Sequence, residues 1–313
     1  MRSLLCSAFV LVSLTGISFA EGLLQTFGSG ANAFTIEFVT IGNPGNAADT
    51  TGNPNPVGSV AYTYNIGKFE VSRDMVNKAN SEGGLGITMY NMTSFGGNGV
   101  NRPAVEISWN EAARFVNYLN TSKGYQAAYN FTTSGANADI TLWGVGQYTG
   151  SNQFRHKNAY YFLPSVDEWY KAAYGNLNGT WNNYATGSDS APTAVASGTA
   201  AGTAVYGVQG PADITSAGGL SPWGTMAQGG NVYEWNETAY DGINNIVGES
   251  RALRGGSWDN GSSVQIASSR SGVAPLGSTL FNGFRVASVP EPSALSFLAV
   301  GLGGLATMRR RRS

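Results

Sequence analysis

The chain has 313 residues, 42% hydrophobic and only 12% charged, with a formal net charge of -1 from 18 basic and 19 acidic side chains. It is long enough to bury a sizeable core, and it has no basic surplus to neutralise phosphates, which excludes nucleic acid as a partner class. Its 43 glycines exclude long helical bundles, because Gly costs ~1 kcal/mol per helix-interior position relative to Ala, while 15 Tyr, 14 Phe and 7 Trp exclude disorder.

In chain order, Met1–Ala20 reads as a secretory signal peptide. Arg2 is its positive start, Leu4–Ile17 its apolar stretch and Ser18-Phe19-Ala20 its small-x-small cleavage site. The single cysteine, Cys6, lies inside it, so the exported part carries no disulfide. Residues 21–34 read as a linker. Thr35–Ile41 and Tyr62–Val71 are β-rich runs, separated by a loop of Asn, Gly, Pro and Thr from Gly42 to Gly58. Ser72 announces a helix over Arg73–Asn80. Ser108 with Glu111 forms a capping box that opens Trp109–Asn120, and Ser165 with Glu168 a second that opens Val166–Tyr174. Asn178–Thr203 reads as a long ordered loop or an insertion. Short strands are expected near Ala252–Arg254 and Phe284–Ala287. No repeat or boundary divides residues 35–288, so the fold class is α+β: one irregular, loop-rich domain with few short helices and short strands.

Residues 289–313 form a separate tail: Pro290-Glu291-Pro292, then the uncharged and mostly apolar Ala294–Met308, then Arg309–Arg312. Fifteen residues fall short of the ~20 of a spanning helix, but the arginines favour the cytoplasmic side. This order resembles the PEP-CTERM sorting tail. The resemblance implies inner-membrane retention, cutting near Pro290, Glu291 and Pro292 by an exosortase-type enzyme, and release to the cell surface or extracellular matrix. A plain terminal anchor is the alternative.

Six landmarks carry a second resemblance: Ile66-Gly67-Lys68-Phe69-Glu70-Val71-Ser72; Arg102-Pro103-Ala104-Val105 with Ser108-Trp109; Leu163-Pro164-Ser165 through Glu168-Trp169; Gly229-Gly230-Asn231-Val232-Tyr233-Glu234-Trp235; Arg254-Gly255-Gly256-Ser257-Trp258; and Gly283-Phe284-Arg285. In this order they resemble the formylglycine-generating, or sulfatase-modifying factor, enzymes. The resemblance implies a C-type-lectin-like fold and a ligand groove at Tyr233, Ser257, Trp258 and Asn260. The oxidising members hold copper on two cysteines after the Gly-Gly-Ser-aromatic motif; Asn260 and Gln265 stand there in this chain. Neither side chain forms the thiolate that selects Cu(I), so no copper is expected. Iron is not expected either, because His156 is the only histidine and a two-histidine site needs a second. His156, between Arg155 and Lys157, reads as a solvated surface residue.

The resemblance also implies structural calcium at the Glu234 turn, through Gly230 and Val232 carbonyls and the Glu234 carboxylate, a donor set that suits a hard ion. A second calcium site falls near Asn183 and Asp213. Trp109, Trp169 and Trp235 read as core, and Arg254 and Arg285 as buried hydrogen-bond hubs. Two functional readings follow: a surface-displayed module that binds a glycan or peptide without catalysis, or an enzyme working through an oxygen-ligated cation.

Overall fold

A computed structural model describes residues 23–133 and 140–290. The signal-peptide reading and Glu291, Pro292 and the rest of the tail lie outside these residues. Among the described residues, thirteen short strands and three α-helices follow in the order β1 (Leu23–Phe27), β2 (Phe34–Ile41), β3 (Tyr64–Gly67), α1 (Arg73–Gly83), α2 (Trp109–Thr121), β4 (Asn130–Phe131), β5 (Ile140–Thr141), β6 (Tyr161–Phe162), α3 (Val166–Tyr174), β7 (Thr193–Ala194), β8 (Thr203–Ala204), β9 (Tyr233–Ala239), β10 (Arg251–Arg254), β11 (Ser271–Val273), β12 (Asn282–Gly283) and β13 (Ala287–Ser288). Five of the strands form a sheet in the order β1-β2-β3-β13-β6, and four form a second in the order β11-β10-β9-β12. The α+β, loop-rich class read from the sequence is the observed one.

Both capping boxes are present. In α2, Ser108 Oγ accepts from Glu111 N, and Glu111 Oε2 accepts from Ser108 N at 2.9 Å; Ser165 and Glu168 reproduce the pair at the start of α3. Each box satisfies two amide donors that a helix start leaves open. α1 is capped by Ser72 and runs past Asn80 to Gly83, where Gly84 at φ 59 stops it in the left-handed region.

Three expectations need correction. The expected linker 21–34 holds a strand in its described part, from residue 23: β1 pairs antiparallel with β2 from Leu23↔Phe38 to Phe27↔Phe34, and the buried Phe27 ring meets Tyr161 edge-on at 5.0 Å. The run Tyr62–Val71 holds a strand only at β3, after which Val71 N bonds to Phe284 O at 2.9 Å. The expected strand at Phe284–Ala287 is instead a crossing. The chain leaves the four-stranded sheet at β12, passes Arg285 and joins the five-stranded sheet at β13.

The cores are aromatic. Trp109, Trp169 and Trp235 are fully buried, each with its indole N–H satisfied: Trp109 to Asn236 O at 2.9 Å, Trp169 to Glu234 and Trp235 to Ile107 O at 2.7 Å. Fully burying one large apolar side chain stabilises the fold by ~1.5–3 kcal/mol, and the satisfied N–H removes the penalty that would offset it.

Candidate functional site

Arg285 sits at the crossing between the two sheets and organises everything around it. Its Nε donates to Glu234 Oε2 at 2.5 Å and its Nη2 to Glu234 Oε1 at 2.6 Å. The remaining donors reach Gly67 O at 2.9 Å, Lys68 O at 3.2 Å and Met226 O at 2.7 Å. Glu234 Oε2 also accepts from Trp169 Nε1 at 2.6 Å. Both residues are fully buried, so this bidentate pair ties β9, α3, β3 and the loop at Met226 in a low-dielectric core.

Beside it lies a second buried carboxylate. Glu70 Oε2 accepts from Asn231 Nδ2 at 2.5 Å and Glu70 Oε1 from Val232 N at 3.2 Å, while Asn231 Oδ1 accepts from Ala212 N at 2.8 Å. Burial, and then the charge of Glu234, push the Glu70 pKa well above the usual carboxylate value.

This geometry bears on the donor set expected for calcium. Glu234 has both oxygens in the grip of Arg285 and Trp169, so its carboxylate does not fit a cation. Gly230 and Val232 belong to the same turn, but there it is the Val232 amide that is engaged, by Glu70. Asp213 pairs with Arg102 Nε at 3.3 Å, and Asn183 donates its amide to Asp189 Oδ1 at 3.0 Å. Among the described residues no group of three or more His, Cys, Asp or Glu is assembled for a metal. His156 is also corrected: it is buried, edge-on to Trp143 at 4.8 Å, with Nδ1 accepting from Asn158 N at 3.1 Å.

The Gly-Gly-Asn turn is bolted to the Gly-Gly-Ser-Trp turn by Gly230 N to Gly255 O and Trp258 N to Asn231 O, both at 2.8 Å. Gly230 at φ 87 approaches the Val205 backbone so closely that no Cβ fits, which is why glycine is needed there. The bolted turns hold the Trp258 ring between Phe95 at 5.3 Å and Phe281 at 5.2 Å. Those three rings, with Val208, Gln209, Leu280, Ser94 and the exposed Asp259, line an open cleft of about 340 Å³. Trp258 Nε1 is buried there without a hydrogen-bond partner, whereas buried polar atoms normally have one.

Of the groove residues expected from the sequence, only Trp258 lines this cleft. Tyr233 packs against the main core, and only its amide comes near, donating to Phe281 O at 2.9 Å. Ser257 is fully buried. Asn260 Oδ1 accepts from Ser257 N at 2.9 Å and from Ser257 Oγ at 3.0 Å, so Asn260 fixes the turn instead of facing a ligand. Gln265 is buried with neither side-chain polar atom partnered. Sequence reasoning missed Phe95 and Val208, which reach the cleft from distant loops; Phe281 precedes the Gly-Phe-Arg landmark by two residues and was the only signal available.

The description "Sulfatase-modifying factor enzyme 1-like domain" matches residues 37–289, and a PEP-CTERM protein-sorting motif matches residues 288–312. The sorting motif marks the chain for export and membrane sorting and for an exosortase-type processing enzyme; Pro290 is exposed at the domain's end. Among solved structures, Treponema denticola variable protein 1 superposes with a TM-score of 0.58 at 17% identity, covering 86% of this chain and 99% of that one. A protein named CarF gives 0.59 at 19%, covering 82% and 99%, and PvdO from Pseudomonas aeruginosa gives 0.53 at 16%, covering 85% and 98%. These identities speak for the fold alone. No curated protein sequence matches the chain. Spanning most of its length, the match to the domain model means that the chain belongs to the sulfatase-modifying factor enzyme 1-like family and carries that domain in exported form.

Proposed function

We propose that this exported domain is a binding module, displayed at the cell surface or in the extracellular matrix, whose ligand seats in the Trp258 cleft. The observation that carries this is what stands at the positions where the resemblance puts copper-binding cysteines. Asn260 is consumed in capping Ser257, Gln265 is a buried amide, and the chain's one cysteine is Cys6. Neither amide is a soft ligand, so the residues do not fit Cu(I), and no oxidation step is derived through it. The cleft itself has an aromatic floor, a buried indole donor without a partner, and a rim of Gln209, Asp259 and Ser94. A mostly apolar concavity with a few polar groups is the usual form of a small-ligand or peptide-end site. Glycan and peptide ligands both fit that description.

The test has two readouts on the purified protein. Incubation of a sulfatase-type cysteine peptide with copper and oxygen is expected to give no formylglycine by mass spectrometry above the enzyme-free control. A glycan and peptide array is expected to give specific hits. Aldehyde formation above control overturns the non-catalytic reading.

A further inference from the structure

The sorting segment leaves the domain at a defined place. β13 ends at Ser288, Val289 N donates to Tyr160 O at 3.1 Å, and Val289 then forms part of the wall of a cleft of about 390 Å³ shared with Tyr62, Asn152 and Lys157. The uncharged, mostly apolar stretch Ala294–Met308 begins five residues after Val289. Fully extended, five residues reach about 18 Å at most. A bilayer that takes up this stretch therefore lies within that distance of the cleft's rim.

The rim carries side chains suited to such a neighbour. Tyr62 is 46% exposed, Tyr125 43%, Ile243 52% and Val289 38%. Tyr125 stacks on Tyr160 at 4.9 Å, the residue whose carbonyl holds Val289. The loop of Ile243 is tied to the same rim, with Asn244 Nδ2 donating to Asn152 Oδ1 at 3.1 Å and Gln153 N to Asn244 O at 3.2 Å. Lys157 and Lys123 are exposed beside these aromatics, and the nearby acid Asp241 turns Oδ1 back to Ile243 N at 2.8 Å. Tyr rings favour the headgroup level of a membrane, and lysine stems lie along it with the ammonium in water. Exposed apolar residues gathered in one place mark an interaction surface.

We propose that the rim formed by Tyr62, Tyr125, Lys157, Ile243 and Val289 is a membrane-docking surface. It rests on the bilayer that takes up the sorting tail and holds the anchored domain in one orientation. The idea rests on the sorting motif and on the point where the chain leaves the domain, and is independent of what the Trp258 cleft binds.

The test uses the full chain, on a Cys6→Ser background, reconstituted into vesicles of phosphatidylethanolamine and phosphatidylglycerol. An environment-sensitive fluorophore is placed in turn at Tyr125→Cys, at Ile243→Cys and, on the Trp258 cleft, at Ser94→Cys. Quenching by a headgroup nitroxide lipid is expected to be several-fold stronger at positions 125 and 243 than at 94, and to fall toward the position 94 level when Lys157→Glu is added. If either label lowers the melting midpoint, the exposed Asn158→Cys and Val247→Cys replace them. Equal quenching at all sites, or the strongest at position 94, overturns the proposal.

Discussion

The Glu234–Arg285 hub and the Trp258 cleft share two bolted turns but are opposite in character. In the hub, every Arg285 donor and both Glu234 oxygens are engaged, and both residues are fully buried. In the cleft, half-buried Phe95, Val208 and Phe281 face open space and the Trp258 indole donor has no partner. The chain places its strongest polar groups where they hold two sheets and two glycine turns in register. It leaves an aromatic surface open, beside a buried indole donor that has no partner. A charged group in a family motif is therefore not a ligand-binding group by virtue of its charge; here it is the frame that the binding surface hangs on.

Three experiments sharpen or break that contrast. The largest effect is expected for Glu234→Gln, which leaves the Arg285 guanidinium buried without its carboxylate. Removing one partner of a buried pair costs roughly 3–5 kcal/mol, read from urea unfolding. Wild type and variant should show the same small response to millimolar calcium. A calcium-dependent rise in the wild-type midpoint that the variant lacks would restore the cation reading of Glu234.

A smaller effect concerns pH. Glu70 has a folded pKa well above its ordinary 4.5, because of burial and the neighbouring Glu234 charge. The folded protein thus holds a proton that the unfolded chain releases. Its contribution is fully present below about pH 4.5 and is lost as pH rises through the folded value. Burial raises Glu237 in the same direction. Glu70→Gln keeps a carbonyl acceptor and cannot ionise, so stability should fall less steeply than in wild type as pH rises above 4.5. Parallel curves for the two proteins would show that Glu70 does not carry the slope.

The smallest effect on stability is expected at the rim of the cleft. Asp259→Asn removes an exposed charge with no structural partner, and unfolding should change by less than about 0.5 kcal/mol. A loss much larger than that would place Asp259 in the frame with Glu234.

Much of the frame was legible in the sequence. The capping boxes fixed the starts of α2 and α3, because Ser and Glu three apart satisfy helix-end amides locally. Three core tryptophans and the two buried arginines were readable from their landmark motifs. What was missed depends on partners far along the chain. β1 is a strand only because β2 offers it an edge and Tyr161 a place for Phe27. Glu234 looked like a calcium ligand because its partner Arg285 lies 51 residues away. Tyr233 follows the same turn, yet strand alternation turns it toward the other core. The cleft was least legible, since Phe95, Val208 and Phe281 come together only in space.

The most direct test of the account is the glycan and peptide array read with two full-length proteins, wild type and Val208→Asp. Val208 lines the cleft without joining the hub, so a carboxylate there should spoil ligand seating while the melt stays close to wild type. The account predicts specific hits for wild type that weaken at least several-fold in the variant. An array without hits, or hits that Val208→Asp leaves unchanged, would contradict it.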